Sequence, residues 1–129
     1  MILVDTSAWI EFFRGRDPLA RAVDDALANN DVALCGPVEA ELRRGLKNER
    51  ERATLLPLLD ACHMLAQPEQ LWTEAGDLGF ALRRRGVTPK TIDLLIATYA
   101  LTHSATLLTS DKDFATMQKA GVPLQLAFR

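Results

Sequence analysis

Short runs of β-forming residues alternate with longer runs of helical periodicity along the whole chain. The strand-like runs fall at 2–4, 32–35, 63–65, 106–108 and 124–126. Between them, apolar spacing and end signals predict helices over 7–14, 18–29, 37–46, 49–62, 68–85, 91–103 and 113–119, with Gly15, Gly86 and Gly121 as stops. Pro57 should kink or split the helix over 49–62. Strands separated by helices cannot pair through tight hairpins, so they lie parallel, and a parallel sheet needs helices on both faces. The expected fold class is α/β. With 129 residues and no linker, repeat or low-complexity segment, residues 1–129 make one domain.

Composition narrows the function classes. A hydrophobic share of 48% and a charged share of 25% belong to a soluble globular chain, expected in the cytoplasm. The N-terminus has no basic lead and too short an apolar run for a signal peptide, and the stretch 94–101 is too short to span a membrane. A net charge of -2 argues against a generally basic nucleic-acid coat, so a polyanion would be met by local arginines or bound metal. Cys35 and Cys62 are far apart and have no metal-like spacing. They read as reduced core thiols.

The acids carry the chemistry. Ligands of open parallel sheets bind beyond the carboxyl ends of the strands. Asp5 directly follows the first strand-like run and Asp111 closely follows the fourth. Either one alone would serve as a helix N-cap. Asp93 is different, because it is the only charged residue between Thr91 and Thr102, in a helix apolar on nearly every face. Thr91 already offers a cap there, and a carboxylate buried in such a helix is costly unless it is paired or metal-bound. Glu39 and Glu41 flank the buried stripe of the helix after the second strand, and the helical wheel does not choose between them. Acids brought to one sheet edge repel one another unless cations join them. An all-oxygen set without His or Cys suits a hard divalent ion, Mg2+ or Mn2+, and with it phosphoryl chemistry.

Four segments in order carry a family likeness. Met-Ile-Leu-Val-Asp5-Thr6-Ser7, Val38-Glu39-Ala40-Glu41-Leu42 with Gly45, Thr91-Ile92-Asp93-Leu94-Leu95-Ile96-Ala97 and Leu108-Thr109-Ser110-Asp111-Lys112-Asp113-Phe114 resemble the motifs of PIN-domain ribonucleases. The VapC-type toxins of bacterial toxin–antitoxin pairs are the nearest group. The resemblance implies a sheet of order 3-2-1-4-5 and a metal-dependent endoribonuclease cutting RNA by metal-activated water. It assigns Asp5, Glu41, Asp93 and Asp111 as the catalytic acids, with Asp5 and Asp93 binding Mg2+ or Mn2+ directly. Asp113 becomes the cap of the last helix, with a supporting role at the site. Thr6, Ser7 and Thr109 would orient Asp5 or a bound water. The implied partners are an RNA substrate, a second copy of the chain, and a cognate antitoxin lying in a groove near Trp9, Ile10, Phe12 and Phe13. Basic residues from Arg14 to Lys90 would border the acid edge and meet phosphates. A housekeeping RNA-processing nuclease is the alternative within the enzyme reading. A phosphoacceptor receiver domain fails: Thr6, not a second acid, follows Asp5, no Asp follows the third strand, and 127–129 offers no Lys. A non-catalytic interaction module sits poorly with four intact acids.

Overall fold

The computed structural model describes residues 1–127; Phe128 and Arg129, the last two of the segment cited against a receiver domain, lie outside them. In chain order the elements are β1 (Ile2–Val4), α1 (Thr6–Phe13), α2 (Leu19–Ala28), β2 (Val32–Leu34), α3 (Gly36–Arg44), α4 (Glu49–Asp60), β3 (His63–Met64), α5 (Leu71–Arg83), α6 (Thr91–Thr102), β4 (Thr106–Leu108), α7 (Lys112–Lys119) and β5 (Gln125–Leu126). All pairings are parallel, and the strand order is β3-β2-β1-β4-β5, as the resemblance implies. The chain winds outward from β1 to β3, returns, and winds outward again through β4 and β5. Right-handed crossovers then put the helices of the two halves on opposite faces. The reversal falls between β1 and β4, and the crevice of such a sheet opens at its switch point.

Every strand is short, and the three central ones, β2, β1 and β4, are almost wholly buried, with Leu3, Val4, Ala33, Leu107 and Leu108 essentially inaccessible, while the edge strands expose Met64 and Gln125. Helix α6 is the central helix, buried without interruption from Asp93 to Ala100. It packs tightly on α5: a Cβ at Gly79 would stand 2.8 Å from Leu94 Cδ1, so any larger residue there would require the Leu94 side chain to shift. Trp9 and Phe114 are the largest fully buried side chains and fill the core from α1 and α7.

Helix α4 departs from expectation, since it runs unbroken through Pro57. Proline lacks the N–H that would bond Ala53, and both residues lie on the exposed face, where the freed carbonyl is open to solvent. Asn48 secures the other end by accepting the Glu51 N–H at 2.9 Å. Both thiols are free, as expected. Burial pushes Cys35 up to about 12 and Cys62 up to about 11, so both stay protonated. Cys62 donates to the Leu58 carbonyl and His63 bonds the Asn30 carbonyl, which leaves no metal-ligand pair there. No helix is long and apolar enough to cross a membrane.

Candidate active site

Asp5 closes β1 beside β4, where its backbone N–H donates to Leu108 O at 2.9 Å. It stands at the N-cap of α1, but its side chain makes no cap bond. The carboxylate instead turns to the crevice, where Oδ2 accepts the Ser7 and Thr109 hydroxyls, each at 2.8 Å. Those hydroxyls in turn accept backbone N–H groups of the β4–α7 turn, Ser110 N to Ser7 Oγ at 3.0 Å and Asp111 N to Thr109 Oγ1 at 2.9 Å. Each hydroxyl has one proton, and both protons go to Asp5. The turn, two hydroxyls and the carboxylate are thus one rigid unit spanning the two central strands.

Asp93 sits in the first turn of α6, whose N-cap is Lys90 with no side-chain cap. Thr91, expected as the cap, is the first helical residue instead. Asp93 is buried, and its Oδ2 has no hydrogen-bond partner. Desolvation, then the charges of Asp111, Asp5 and Asp113, push its pKa from 3.8 to about 6, opposed by Lys90. Those three repulsions identify the acids that surround it.

The β4–α7 turn corrects another expectation. Helix α7 begins at Lys112 and its cap is Asp111, not Asp113: Asp111 Oδ1 accepts the Asp113 N–H at 2.9 Å. Asp113, freed from capping, lies in the first turn, and Asp93, Asp111 and Asp113 each offer a carboxylate oxygen within 4.8 Å of the others. The tightest acid group is therefore this triplet, with Asp5 a charged neighbour outside it. Sequence reasoning gave Asp113 a supporting role at the site; the structure sets its carboxylate beside those of Asp93 and Asp111, and the Asp-x-Asp spacing across a helix start is the signal for that proximity.

Glu41 takes the crevice side of α3 and accepts the Thr6 hydroxyl at 2.7 Å, so Thr6 serves Glu41 rather than Asp5. Glu39, the other choice on the wheel, pairs with Arg43 at 2.8 Å on the surface. Of the basic residues, Arg43 is thus committed, Arg16 lies 3.7 Å from Glu11, and Arg85 bonds the Ala120 carbonyl.

Glu41 and Thr6 also border an apolar groove of about 420 Å3 between α1, α3 and α4, walled by Ile10, Phe13, Leu42, Leu46 and Leu55. Trp9 does not reach it, being fully buried beneath Phe13, with ring centroids 6.0 Å apart.

The residues present fit a hard divalent cation. Three carboxylates converge, one buried oxygen lacks any donor, and among the described residues no Arg or Lys pairs with them. A carboxylate edge at the switch point of a 3-2-1-4-5 sheet defines a class, and a family profile described as PIN domain matches residues 2–120. The chain belongs to the PIN-domain family, among its VapC-type ribonucleases. It is 33% identical over 119 residues to Ribonuclease VapC11 of Mycobacterium tuberculosis, covering 88% of this chain and 89% of that protein. A VapC ribonuclease of Mycobacterium bovis matches equally, at 33% over the same length. Among solved structures, VapBC2 from Rickettsia felis bound to a promoter DNA fragment shares the fold, with a TM-score of 0.77, 23% identity and coverage of 98% and 97% of the two chains. VapBC-5 of Mycobacterium tuberculosis, a member of the VapBC family of toxin–antitoxin systems, gives a TM-score of 0.65 at 25% identity, with 96% and 94% covered.

Proposed function

We propose that residues 1–129 form a single PIN domain that hydrolyses RNA phosphodiester bonds with Mg2+ or Mn2+, as the toxin of a toxin–antitoxin pair. The observation that carries this reading is the buried, unpartnered Oδ2 of Asp93 among Asp111, Asp113 and Asp5. Such repulsion is tolerable when a cation joins the group. Asp93, Asp111 and Asp113 would hold the ion, with Asp5 facing the same charge and Glu41 on the groove side. A bound divalent ion supplies Lewis acidity at the phosphate and makes water nucleophilic near neutral pH. The chain contributes orientation: Ser7 and Thr109 fix the Asp5 carboxylate, and Thr6 fixes Glu41. Uncommitted cations such as Arg14, Arg44 and Lys90 would meet the RNA backbone.

The apolar groove suits the antitoxin, because a segment seated on Ile10 and Phe13 lies next to Glu41 and can extend a cationic side chain to the acids. An arginine there would pair a carboxylate through its planar fork and compete with metal. A second copy of the chain has an apolar face available at Trp72 and Phe80, both exposed on α5.

The reading is tested by incubating purified protein with RNA under EDTA, Mg2+ and Mn2+. Cleavage should need the metal and be lost in Asp5→Asn and Asp93→Asn, with both variants folded by circular dichroism. Metal-independent cleavage, or full activity in both variants, would overturn it.

A further inference from the structure

A second hollow, of about 270 Å3, opens on the other side of the acid cluster, between the start of α2 and the β4–α7 turn. Pro18, Leu19, Ala115 and Leu126 form its apolar walls, and Ser110, Asp111 and Lys112 its polar side. Asp111 belongs to both the hollow and the carboxylate triplet, so whatever fills the hollow sits beside the proposed reaction centre.

Two features identify the occupant. The first is size and wall chemistry: this hollow is smaller than the ~300–1,000 Å3 pockets that enclose whole drug-sized ligands. Its volume suits one planar ring system, and its walls are aliphatic side chains. The second is the polar side. The Ser110 N–H is held by Ser7, but among the described residues neither the Ser110 hydroxyl nor the Lys112 ammonium has a hydrogen-bond or ion-pair partner, and both residues are exposed. An ammonium offers donors only, and a hydroxyl offers one donor and accepts as well. Together they suit a ring edge bearing carbonyl oxygens.

We infer that this hollow is a nucleobase subsite, holding a splayed-out RNA base next to the cleaved phosphate, with Ser110 and Lys112 reading its carbonyl edge. Single-stranded RNA is recognised in this way, by unstacked bases held against apolar surfaces and bonded at their edges. Uracil and guanine present the matching oxygens, whereas adenine presents an exocyclic donor. The inference rests on the ribonuclease reading and adds base selection to it.

The experiment sequences the fragments released from a random-sequence RNA pool by wild type, Ser110→Ala, Lys112→Ala and the hollow-filling Ala115→Leu, with Mn2+ binding of each protein measured calorimetrically. Wild type should favour uracil or guanine at one position flanking the cut. Each variant should lose that preference and raise KM roughly tenfold on the preferred sequence, as expected for a lost charged or sterically blocked contact, more than it lowers kcat. Mn2+ affinity should stay at the wild-type value. Three outcomes overturn the subsite while leaving the nuclease intact: no flanking base preference in wild type, an unchanged preference in all three variants, or a sequence-independent loss confined to Lys112→Ala, which marks a phosphate contact. No metal-dependent cleavage by wild type sinks the ribonuclease reading and the subsite with it.

Discussion

Asp93 is under electrostatic tension, since burial and three acidic neighbours all favour its neutral form. Its folded value, about 6, lies above the ordinary 3.8, so without metal the native state holds the proton to higher pH. Its contribution to stability is therefore best below about pH 4, falls as pH rises from 3.8 to about 6, and stays low above that. The gap corresponds to about 3 kcal/mol. In EDTA, urea unfolding should give wild type and Asp93→Asn similar stability at pH 4, with Asn ahead by up to about that amount above pH 6. Millimolar Mg2+ should raise the wild-type midpoint at pH 7 and leave Asp93→Asn unmoved. A wild-type to Asn difference that does not vary with pH would remove the tension argument. At Asp5 the expected cost has the opposite source. Thr109→Val removes a donor to the carboxylate and strands the Asp111 N–H, so about 1–3 kcal/mol of stability should go, along with most cleavage. Position alone made Asp93 conspicuous in the sequence, as a lone charge in an apolar helix. Ser7 and Thr109 bond Asp5 as the resemblance implies, but the turn of Thr6 to Glu41 was not legible, because that pairing joins residues 35 apart and is set only by folding.

At the scale of elements, α1 shows how far periodicity reads. Four large apolar residues within five positions exceed one buried stripe, so spare apolar surface was expected on this helix. Which side chains supply it depends on packing angles that the sequence does not carry. Trp9 points into the core; Ile10 and Phe13, 40% and 47% exposed, face the groove. Trp9→Ala should therefore cost roughly 3–5 kcal/mol of folding stability in urea titration. Phe13→Ala should cost much less, keep nuclease activity, and weaken a bound antitoxin at least about tenfold by calorimetry. Comparable losses of partner affinity with no loss of stability in Trp9→Ala would reverse the assignment. Helix ends were legible to within a few residues wherever Gly or Asn punctuates them. The start of α7 was legible to within one residue, but its cap was not, because two Asp residues compete for it and the backbone gives it to Asp111.

Over the whole molecule, the alternation of strand and helix made a parallel sheet legible, but strand order is a property of long-range pairing, and only the four family motifs implied it. Glu41 borders the apolar groove, and Asp111 is shared by the acid cluster and the second hollow. A partner seated in the groove would lie beside Glu41, and, with the neighbouring acids holding metal as proposed, its inhibition should have an electrostatic part as well as a steric one. Tethering raises the effective concentration of the antitoxin's cationic side chain at the acids, and a divalent ion competes for the same oxygens. With antitoxin just saturating, raising Mg2+ should restore part of the cleavage rate, while Phe13→Ala should shift that relief to lower Mg2+. Inhibition unchanged across the titration would leave steric cover as the whole mechanism. The cellular counterpart separates a toxin from a housekeeping nuclease on the same fold. Wild type expressed alone should arrest growth, Asp5→Ala should not, and co-expressed antitoxin should relieve the arrest. Equal growth with wild type and Asp5→Ala at matched protein levels would move this chain to RNA processing, with its metal chemistry intact.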